Sequence, residues 1–184
     1  MLRVIAGDLR GRRLTTPLGR DTRPTSDRVR VSLFDLLGDV PAGARVLDVF
    51  AGSGALGIEA LSRGASHAVF VESAPAALRA LRENLAALGL AGRATVVAGD
   101  AFAEPPAARG PFELMLADPP YAAGFEARIV EELARRLALG GVLALEHASD
   151  GEAPLPPEGL AIWKARRYGG TSLTLYVRGA EGDS

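Results

Sequence analysis

The chain has 184 residues and a net charge of −1, and 48% of its residues are hydrophobic although only 5% are aromatic. A chain of this length forms one domain, whose core must be mostly aliphatic. It contains no apolar run of about 18 residues and no cysteine, which excludes a membrane span, disulfides and thiolate metal sites. Neither His67 nor His147 has partners at metal-ligand spacing, and the N-terminus lacks the order of a secretory signal. We expect a cytoplasmic protein with no metal and no membrane partner.

The first thirty residues are strongly basic. They hold eight arginines against three aspartates, a net charge of +5, whereas the remainder carries 13 basic and 19 acidic residues. A basic segment on a mildly acidic body is typical of nucleic-acid-binding proteins. A basic surface that only keeps the protein in solution is the alternative, and charge alone does not decide between the two.

The N-terminal part of the chain predicts a hairpin followed by a helix. The segments "LRVIAG" and "RRLTT" flank a Gly/Arg turn and read as two short strands. The segment "RPTSDRVRVSLFDLLG" predicts a helix with Ser26 as its N-cap and Gly38 as its stop. Its apolar face includes Val29, Leu33 and Leu37 at helical spacing.

Strands and helices then alternate along the chain. Five near-continuous aliphatic segments predict strands: "RVLDVF", "HAVFVE", "ATVVAG", "FELMLA" and "VLALEH". Between them, helices are predicted for "ALGIEALSRG", "APAALRALRENLAALG" and residues 125–138. The final segments, "LAIWKARRY" and "TSLTLYV", flank Gly169-Gly170 and predict an antiparallel hairpin. This order predicts an α/β fold, in which a mostly parallel sheet is covered by helices on both faces.

A glycine-rich loop joins the first of these strands to the helix that follows. The segment "LDVFAGSGALGIEA" contains Gly52-x-Gly54-x-x-Gly57, which fits a nicotinamide-dinucleotide site, an S-adenosylmethionine site or a purely structural turn. Asp48, four residues before Gly52, would repel a pyrophosphate but attract the ammonium and sulfonium of S-adenosylmethionine. The carboxylate therefore favours S-adenosylmethionine as the cofactor.

Acidic residues lie at or just after the ends of four successive predicted strands, namely Asp48, Glu72, Asp100 and Asp118. Ligands of open α/β sheets bind beyond the carboxyl ends of the strands, so these four acids predict a site there. We expect Glu72 to bind ribose hydroxyls. We expect Asp100, with the backbone of Ala101, to face the amino group of the adenine.

The fourth of these acids opens the motif Asp118-Pro119-Pro120-Tyr121. An Asp-Pro turn with an incidental tyrosine is the structural alternative. Methylation of an aromatic amine needs acceptors around the N–H groups, which the Asp118 carboxylate and the Pro119 carbonyl provide. The prolines fix the backbone, and Tyr121 can stack on an extruded base. The motif favours an amino-methyltransferase acting on a nucleobase.

The chain resembles the RsmD family, bacterial methyltransferases that modify the exocyclic N2 of one guanine, guanine 966, in 16S ribosomal RNA. The resemblance covers "RVIAGDLRGRRL", "RPTSDRVRVSLFDLL", "VLDVFAGSGALGIEALSRGA", "FELMLADPPY", "GGVLALEH" and "RYGGTSLTLY". It implies a Rossmann-like, seven-stranded class I methyltransferase domain at 23–184, preceded by a basic β-hairpin extension at 1–22 that contacts RNA. Val31, Asp35 and Gly170 depart from the usual family pattern at the rim of the site.

The resemblance also implies a set of site residues. Asp118, Pro119, Pro120 and Tyr121 would hold the guanine. S-adenosylmethionine would be bound by Asp48, Phe50, Gly52, Gly54, Glu72, Ser73, Asp100, Ala101 and Asp118. RNA would be bound by Arg3, Arg10, Arg12, Arg13, Arg20, Arg23, Thr25, Arg166 and Arg167. The implied partner is 16S rRNA within a partly or fully assembled small ribosomal subunit, and a monomer is the default oligomeric state.

Other functions stay open from the sequence. A DNA adenine-N6 methyltransferase also uses Asp-Pro-Pro-Tyr, but such enzymes need a target-recognition region for which this chain has little room. A protein or small-molecule methyltransferase fits neither the basic segment nor that motif. A non-catalytic RNA-binding assembly factor is disfavoured because each chemical position holds a competent residue, and an NAD-dependent oxidoreductase is disfavoured by Asp48.

Overall fold

The computed structural model describes residues 2–17, 24–103, 105–120 and 125–179. Within these ranges the chain forms four α-helices, two short 3-10 helices and seven strands. The α-helices are α1 (Pro24–Leu37), α2 (Ala55–Ser62), α3 (Pro75–Ala87) and α4 (Phe125–Ala134). The strands are β1 (Arg45–Val49), β2 (His67–Glu72), β3 (Ala94–Ala98), β4 (Phe112–Ala117), β5 (Leu137–Ala148), β6 (Leu160–Tyr168) and β7 (Thr171–Arg178).

The strands form one sheet in the order β3-β2-β1-β4-β5-β7-β6. β3, β2, β1, β4 and β5 run parallel to one another. Val46 at the centre of the sheet pairs with Ala68 of β2 on one side and with Leu114 of β4 on the other. β7 is antiparallel to both β5 and β6. The predicted α/β class, with a mostly parallel sheet and an antiparallel C-terminal hairpin, is confirmed.

Both faces of the sheet are buried because successive side chains of each strand point to opposite sides. One face carries Val46 and Leu114, which pack with the apolar sides of α1, α2 and α3. The other face carries Leu47 and Met115, which pack with α4. The aliphatic strand segments of the sequence therefore correspond to two cores separated by the sheet.

Two predicted boundaries are wrong. The first helix begins at Pro24, so Ser26 lies inside its first turn and is not the N-cap; proline suits the first turn because its missing N–H is not needed there. The helix predicted over residues 125–138 ends at Ala134. Leu137 continues the helical spacing but instead pairs with Phe112 and begins β5.

The N-terminal segment packs on α2. Its two arms form the predicted antiparallel hairpin, with a bridge between Arg3 and Arg13 and with the N–H groups of Val4 and Leu14 donating to the carbonyls of Arg12 and Leu2 at 3.0 Å each. The buried carboxylate of Glu59 accepts the backbone N–H groups of Ile5 and Ala6 at 2.7 and 3.0 Å. Leu2, Val4 and Leu14 enter the same core as α1 and α2, and this side-chain and backbone anchoring fixes the segment against the sheet domain. 

Candidate functional site

The strand order brings the four predicted acids to one edge of the sheet. β3, β2, β1 and β4 are neighbours, and because they are parallel their carboxyl ends meet at the same edge. Asp100, Glu72, Asp48 and Asp118 follow that order along the edge. β5 adds Glu146, since Ala117 pairs with Leu145 and the next residues along each strand are Asp118 and Glu146.

The glycine loop turns the chain sharply from β1 into α2. Phe50, Gly52 and Gly54 all have positive φ angles, of 58°, 58° and 84°. A Cβ atom on Gly54 would lie 2.4 Å from Leu81 Cδ1, and one on Gly57 would lie 2.3 Å from Phe70 Cε1. The glycines therefore serve two purposes, because the first two shape the loop, while the second lets the chain pack closely on α3 and the third lets α2 pack closely on the sheet.

Asp48 lies at the base of this loop and is 1% exposed. Its Oδ2 accepts the backbone N–H of Gly57 at 2.9 Å. The pKa of Asp48 is raised to about 7, mainly by burial; the Gly57 hydrogen bond opposes this rise, and the charges of Asp118 and Glu72 add to it. A cation bound beside this carboxyl group would favour its charged form and so lower its pKa.

Glu72 connects the end of β2 to the glycine loop. Its Oε2 accepts the N–H of Gly52 at 2.7 Å, and its Oε1 accepts the N–H groups of Ser73 and Ala74 at 2.8 and 2.7 Å. These bonds fix the carboxylate at the edge of the sheet without using all of its acceptor sites. Remaining lone pairs can accept hydrogen bonds from a hydroxylated ligand.

An aromatic cluster lies beside Asp100, which follows the end of β3. Asp100 is exposed, and its Oδ1 accepts the N–H of Phe102 at 2.8 Å, while Ala101 is buried. The ring of Phe102 lies 6.1 Å from that of Phe50 and 5.9 Å from that of Phe125, between centroids. Of these three rings, only Phe50 was predicted from the sequence as a site residue. Phe102 and Phe125 were missed, and Phe125 joins the cluster because α4 brings it in from a distant part of the chain.

A cavity of about 210 Å³ lies against the glycine loop. Its walls come from the N-terminal segment, α1, β1 with the glycine loop and the start of α2, and the ends of β4 and β5. Its charged lining residues are Asp27, Arg30, Asp48, Asp118 and Glu146. Phe50 and Gly52 also line it, whereas Gly54, Glu72, Ser73, Asp100 and Ala101 lie outside its walls. The cavity therefore joins the first half of the predicted cofactor site to the first residue of the predicted acceptor motif.

The first residue of the acceptor motif, Asp118, lines this cavity. Asp118 is exposed directly after β4, Pro119 is buried and Pro120 is exposed. Tyr121, predicted to stack on the base, lies outside the described residues. The exposed Asp118 carboxylate can therefore reach a ligand that enters from solvent.

Three charged residues of the cavity were missed from the sequence. Asp27 and Arg30 belong to α1, and the hydrogen bond between Arg30 Nη2 and Asp27 Oδ1 measures 3.1 Å. Glu146 lies two residues before the end of β5. The signal for Glu146 was its place near a strand end, like the four acids that were identified, whereas only the fold places α1 over the cavity.

The predicted RNA-binding arginines of the N-terminal segment are exposed. These are Arg3, Arg10, Arg12 and Arg13. Arg3 Nη1 donates to the Gly11 carbonyl at 3.0 Å, and Arg12 Nη2 donates to the Ala87 carbonyl at 3.0 Å. Arg20 and Arg23 lie outside the described residues, as does the side chain of Thr25 in α1.

The other two predicted RNA contacts, Arg166 and Arg167, are exposed on β6 at the edge of the sheet. This strand is tied to α1, because Tyr168 hydrogen-bonds Ser32 and Lys164 Nζ donates to the Leu36 carbonyl at 2.6 Å. Since α1 forms a wall of the cavity, β6 and the cavity are linked through this one helix.

Neither histidine joins the site. His67 pairs with Thr95 at 2.9 Å and His147 with Thr174 at 2.9 Å, both between neighbouring strands. Within the described residues no group of three or more metal-ligating side chains is assembled. Over the same part of the chain, no helix has the length and apolarity needed to cross a membrane.

The strand order, the antiparallel β7 and the glycine loop after β1 define the class I methyltransferase fold. The solved structure of yhhF from Escherichia coli has a TM-score of 0.86 and 37% identity, covering 98% of this chain and 99% of that chain. An RNA methyltransferase from Salinibacter ruber, solved with S-adenosyl-L-homocysteine, has a TM-score of 0.65 and covers 86% and 95%. At 19% identity this second likeness is one of fold.

Sequence comparison identifies the family. Residues 2–177 match the family model described as conserved hypothetical protein 95. The chain is 38% identical over 189 residues to Ribosomal RNA small subunit methyltransferase D of Escherichia coli strain K12, covering 100% of this chain and 93% of that protein. The protein of the same description from Haemophilus influenzae is 31% identical over 179 residues, covering 95% and 93%. The chain belongs to this family, the RsmD family of methyltransferases.

Proposed function

We propose that the protein transfers a methyl group from S-adenosylmethionine to the exocyclic N2 of a guanine in 16S rRNA, the guanine 966 class of the family, during small-subunit assembly. The observation that carries this proposal is the shared cavity, which Asp48 of the cofactor side and Asp118 of the acceptor side both line. Relatives described as Ribosomal RNA small subunit methyltransferase D support the choice of substrate.

The residues present fit S-adenosylmethionine. The donor supplies an electrophilic methyl group on a positively charged sulfur, and the cavity offers the carboxylates of Asp48, Asp118 and Glu146 near that charge. Glu72, held at the edge of the sheet by three backbone N–H groups, would bind the ribose hydroxyls. Asp100, Ala101 and Ser73, with the ring of Phe50, would surround the adenosine part.

Asp118 and the proline carbonyl would hold the target amine. An aromatic amine is a weak nucleophile because its lone pair is spread into the ring. Acceptors at its two N–H groups favour a tetrahedral nitrogen and stabilise the positive charge that develops there. The exposed Asp118 carboxylate and the Pro119 carbonyl are suited to this, while Pro120 fixes the bend and Tyr121 would stack on the extruded base.

The exposed arginines would hold the RNA. The N-terminal segment carries Arg3, Arg10, Arg12 and Arg13 and borders the cavity through Leu2, Thr16 and Pro17. Phosphate contacts made by these side chains would place an RNA next to the acceptor motif. Arg166 and Arg167 on β6 would extend the contact, together with Arg20, Arg23 and Thr25. In this proposal residues 1–22 act as an RNA-contacting extension of the methyltransferase domain at 23–184.

The proposal is tested by offering the purified protein methyl-labelled S-adenosylmethionine with several acceptors. We expect label in small-subunit particles or 16S rRNA, and none in duplex DNA or in ribosomal protein. Label confined to DNA adenine would show a DNA methyltransferase instead. Binding of NAD without binding of S-adenosylmethionine would exclude any methyltransferase.

Binding of S-adenosylmethionine is expected to depend on pH through Asp48. The pKa of Asp48 is about 7 in the free protein, and a cation beside the carboxyl lowers it, so binding releases a proton. Affinity should be highest above pH 7 and fall by up to tenfold per pH unit below it. Calorimetry between about pH 5.5 and 7.5 checks this, a range in which more than half of the donor's α-amino groups stay protonated, so that their own titration changes the affinity by less than about twofold.

The control for this measurement is Asp48→Asn, which is expected to bind weakly and with little change across the same pH range. An affinity of the unchanged protein that stays constant from pH 5.5 to 7.5 would contradict the role given to Asp48.

A further inference from the structure

Trp163, the single tryptophan of the chain, lies at the surface on β6. It is 42% exposed, although tryptophan side chains are usually well buried in folded proteins. β6 is the last strand of the sheet, and on its outer side no further strand pairs with it among the residues that the structure describes. The indole ring therefore lies beside an open edge of the sheet, where a ligand or a partner has access to it.

A β-bulge and a lysine hold this ring in place. The pairing of β6 with β7 shifts between Ile162 and Lys164, so Trp163 is the extra residue of the strand, and bulges re-aim side chains. Lys164 Nζ lies 3.8 Å from the centroid of the indole ring and donates to the Leu36 carbonyl of α1 at 2.6 Å. This cation occupies one face of the ring. Since no aromatic contact within the described part of the chain involves Trp163, a stacking partner has to come from another molecule.

The charged side chains of β6 are all basic. The strand contains Lys164, Arg166 and Arg167 and no acidic residue. Both arginines are exposed, and none of the three cations forms an ion pair with a residue that the structure describes. Arg166 Nη1 donates to the adjacent Ala165 carbonyl at 2.9 Å. Positive charge without ion-pair partners at an exposed edge favours an anionic ligand.

Two classes of macromolecule bind edges of this kind, and the features of β6 favour one of them. A protein segment that adds itself as a further strand is opposed by the bulge and by the basic side chains, which keep edge strands from pairing with other chains. A single-stranded RNA is bound by positive charge along its backbone and by aromatic side chains on which its bases stack. β6 supplies both, with its two exposed arginines and the ring of Trp163.

A base stacked on Trp163 would not be the target base. β5 and β6 are both antiparallel to β7 and therefore run in the same direction. Tyr168, the last residue of β6, consequently lies toward the edge of the sheet at which Asp118 follows β4. Trp163 comes five residues earlier, about 17 Å away along the strand. The indole ring is therefore placed to bind a different nucleotide of the same RNA.

We infer that Trp163 stacks on an unpaired base of the substrate RNA, outside the target position, while Arg166 and Arg167 bind the neighbouring phosphates. The inference rests on the proposed function for the class of substrate. It adds a base contact to a strand for which only basic RNA contacts were predicted, and it assigns Lys164 the role of orienting the ring. An RNA with an unpaired nucleotide at this distance from the target would be preferred over a continuous duplex.

The single tryptophan makes this contact directly measurable. The full-length protein is titrated at low salt with a single-stranded RNA octamer of adenosine, and its intrinsic fluorescence is recorded. We expect saturable quenching, because a base stacked on the indole ring quenches its emission. Polyglutamate, which has negative charge but no bases, should leave the emission unchanged. Anisotropy of the labelled octamer should show that Trp163→Leu weakens binding at least about fivefold, the loss of one base stack, and that Trp163→Phe weakens it less.

Further variants separate stacking from charge. Arg166→Met and Arg167→Met should each lower the salt dependence of octamer binding by about 0.7 in the log-log slope, the value for one phosphate of a single strand, whereas Trp163→Leu should leave the slope unchanged. Leu139→Ser removes an exposed apolar side chain of β5 and should not alter binding. With small-subunit RNA as methyl acceptor, Trp163→Leu should raise KM and leave kcat within about twofold. Thermal unfolding checks that each variant is folded.

The outcomes separate the inference from the function on which it rests. Absence of octamer binding, octamer binding without quenching, or equal affinities of Trp163→Leu and the unchanged protein would overturn the base contact while leaving the proposed methyl transfer intact. Quenching by polyglutamate equal to that by the octamer would overturn it in favour of an acidic protein partner. If the octamer quenched the emission but no RNA were methylated, the proposed function would fail and the base-stacking site would stand.

Discussion

Replacement of Asp118 by alanine should lower the rate constant of methylation by about 100- to 1000-fold, the effect of removing one group that stabilises transition-state charge. Asp118 is exposed at the end of β4 and lines the cavity beside the glycine loop, so it is placed to accept a hydrogen bond from the target amine. S-adenosylmethionine should still bind, with an affinity lowered much less than the rate, because Asp48, Glu72 and the loop itself are unchanged while one carboxylate near its positive charge is lost. Single-turnover transfer of labelled methyl groups to small-subunit RNA measures the rate, and calorimetry measures the affinity.

Two variants serve as references for Asp118→Ala. Asp118→Asn keeps an acceptor oxygen but loses the charge, and should fall between alanine and the natural residue. Glu131→Ala removes an exposed acid of α4 that lies outside this cavity, and should methylate at the normal rate. If Asp118→Ala methylated RNA within threefold of the unchanged protein, the role proposed for the motif would be wrong.

Replacement of Glu59 by alanine is expected to cause a large loss of folding stability. This carboxylate is fully buried in α2 and accepts the N–H groups of Ile5 and Ala6 and the Nε of Arg63 at 2.8 Å. Glu59→Ala would leave two backbone donors and a guanidinium without their acceptor. Breaking a buried pair in this way costs about 3–5 kcal/mol of unfolding free energy. Urea denaturation followed by circular dichroism measures the loss.

An exposed pair of the same spacing provides the comparison. Arg128 and Glu132 also lie four residues apart on one helix, at 2.7 Å, with relative exposures of 56% and 30%. Glu132→Ala should cost less than about 1 kcal/mol, because solvent screens the pair and its groups stay hydrated without each other. Similar losses for Glu59→Ala and Glu132→Ala would refute the idea that Glu59 anchors the N-terminal segment.

The sequence was sufficient to predict the sheet because its strands are buried on both faces. Continuous aliphatic segments such as those containing Leu47 and Met115 have no other stable location in a chain of this size. The positions of Asp48, Glu72, Asp100 and Asp118 at one edge followed from that fold, since parallel strands end together. Local pattern and global topology agree at these positions.

Other features depend on contacts between distant parts of the chain, which local patterns do not contain. Leu137 continues the spacing of α4, yet pairing with β4 draws it into a strand. The N-terminal hairpin was predicted from its two short apolar segments, whereas its anchoring to α2 was not, since the N–H groups of Ile5, Ala6 and Leu9 donate to the side chains of Glu59 and Ser62. Arg30 joins the cavity lining only because the fold places α1 and the glycine loop around the same cavity.

The proposed methylation of guanine N2 in 16S rRNA is tested most directly by identifying the methylated nucleoside. Small subunits from a bacterial strain that lacks its RsmD-family enzyme are incubated with this protein and methyl-labelled S-adenosylmethionine, and the digested 16S rRNA is analysed by mass spectrometry. We expect labelled N2-methylguanosine from a single position, absent when the protein carries Asp118→Ala. Label on adenosine, label spread over many guanosines, or no transfer to 16S rRNA in any assembly state would contradict it.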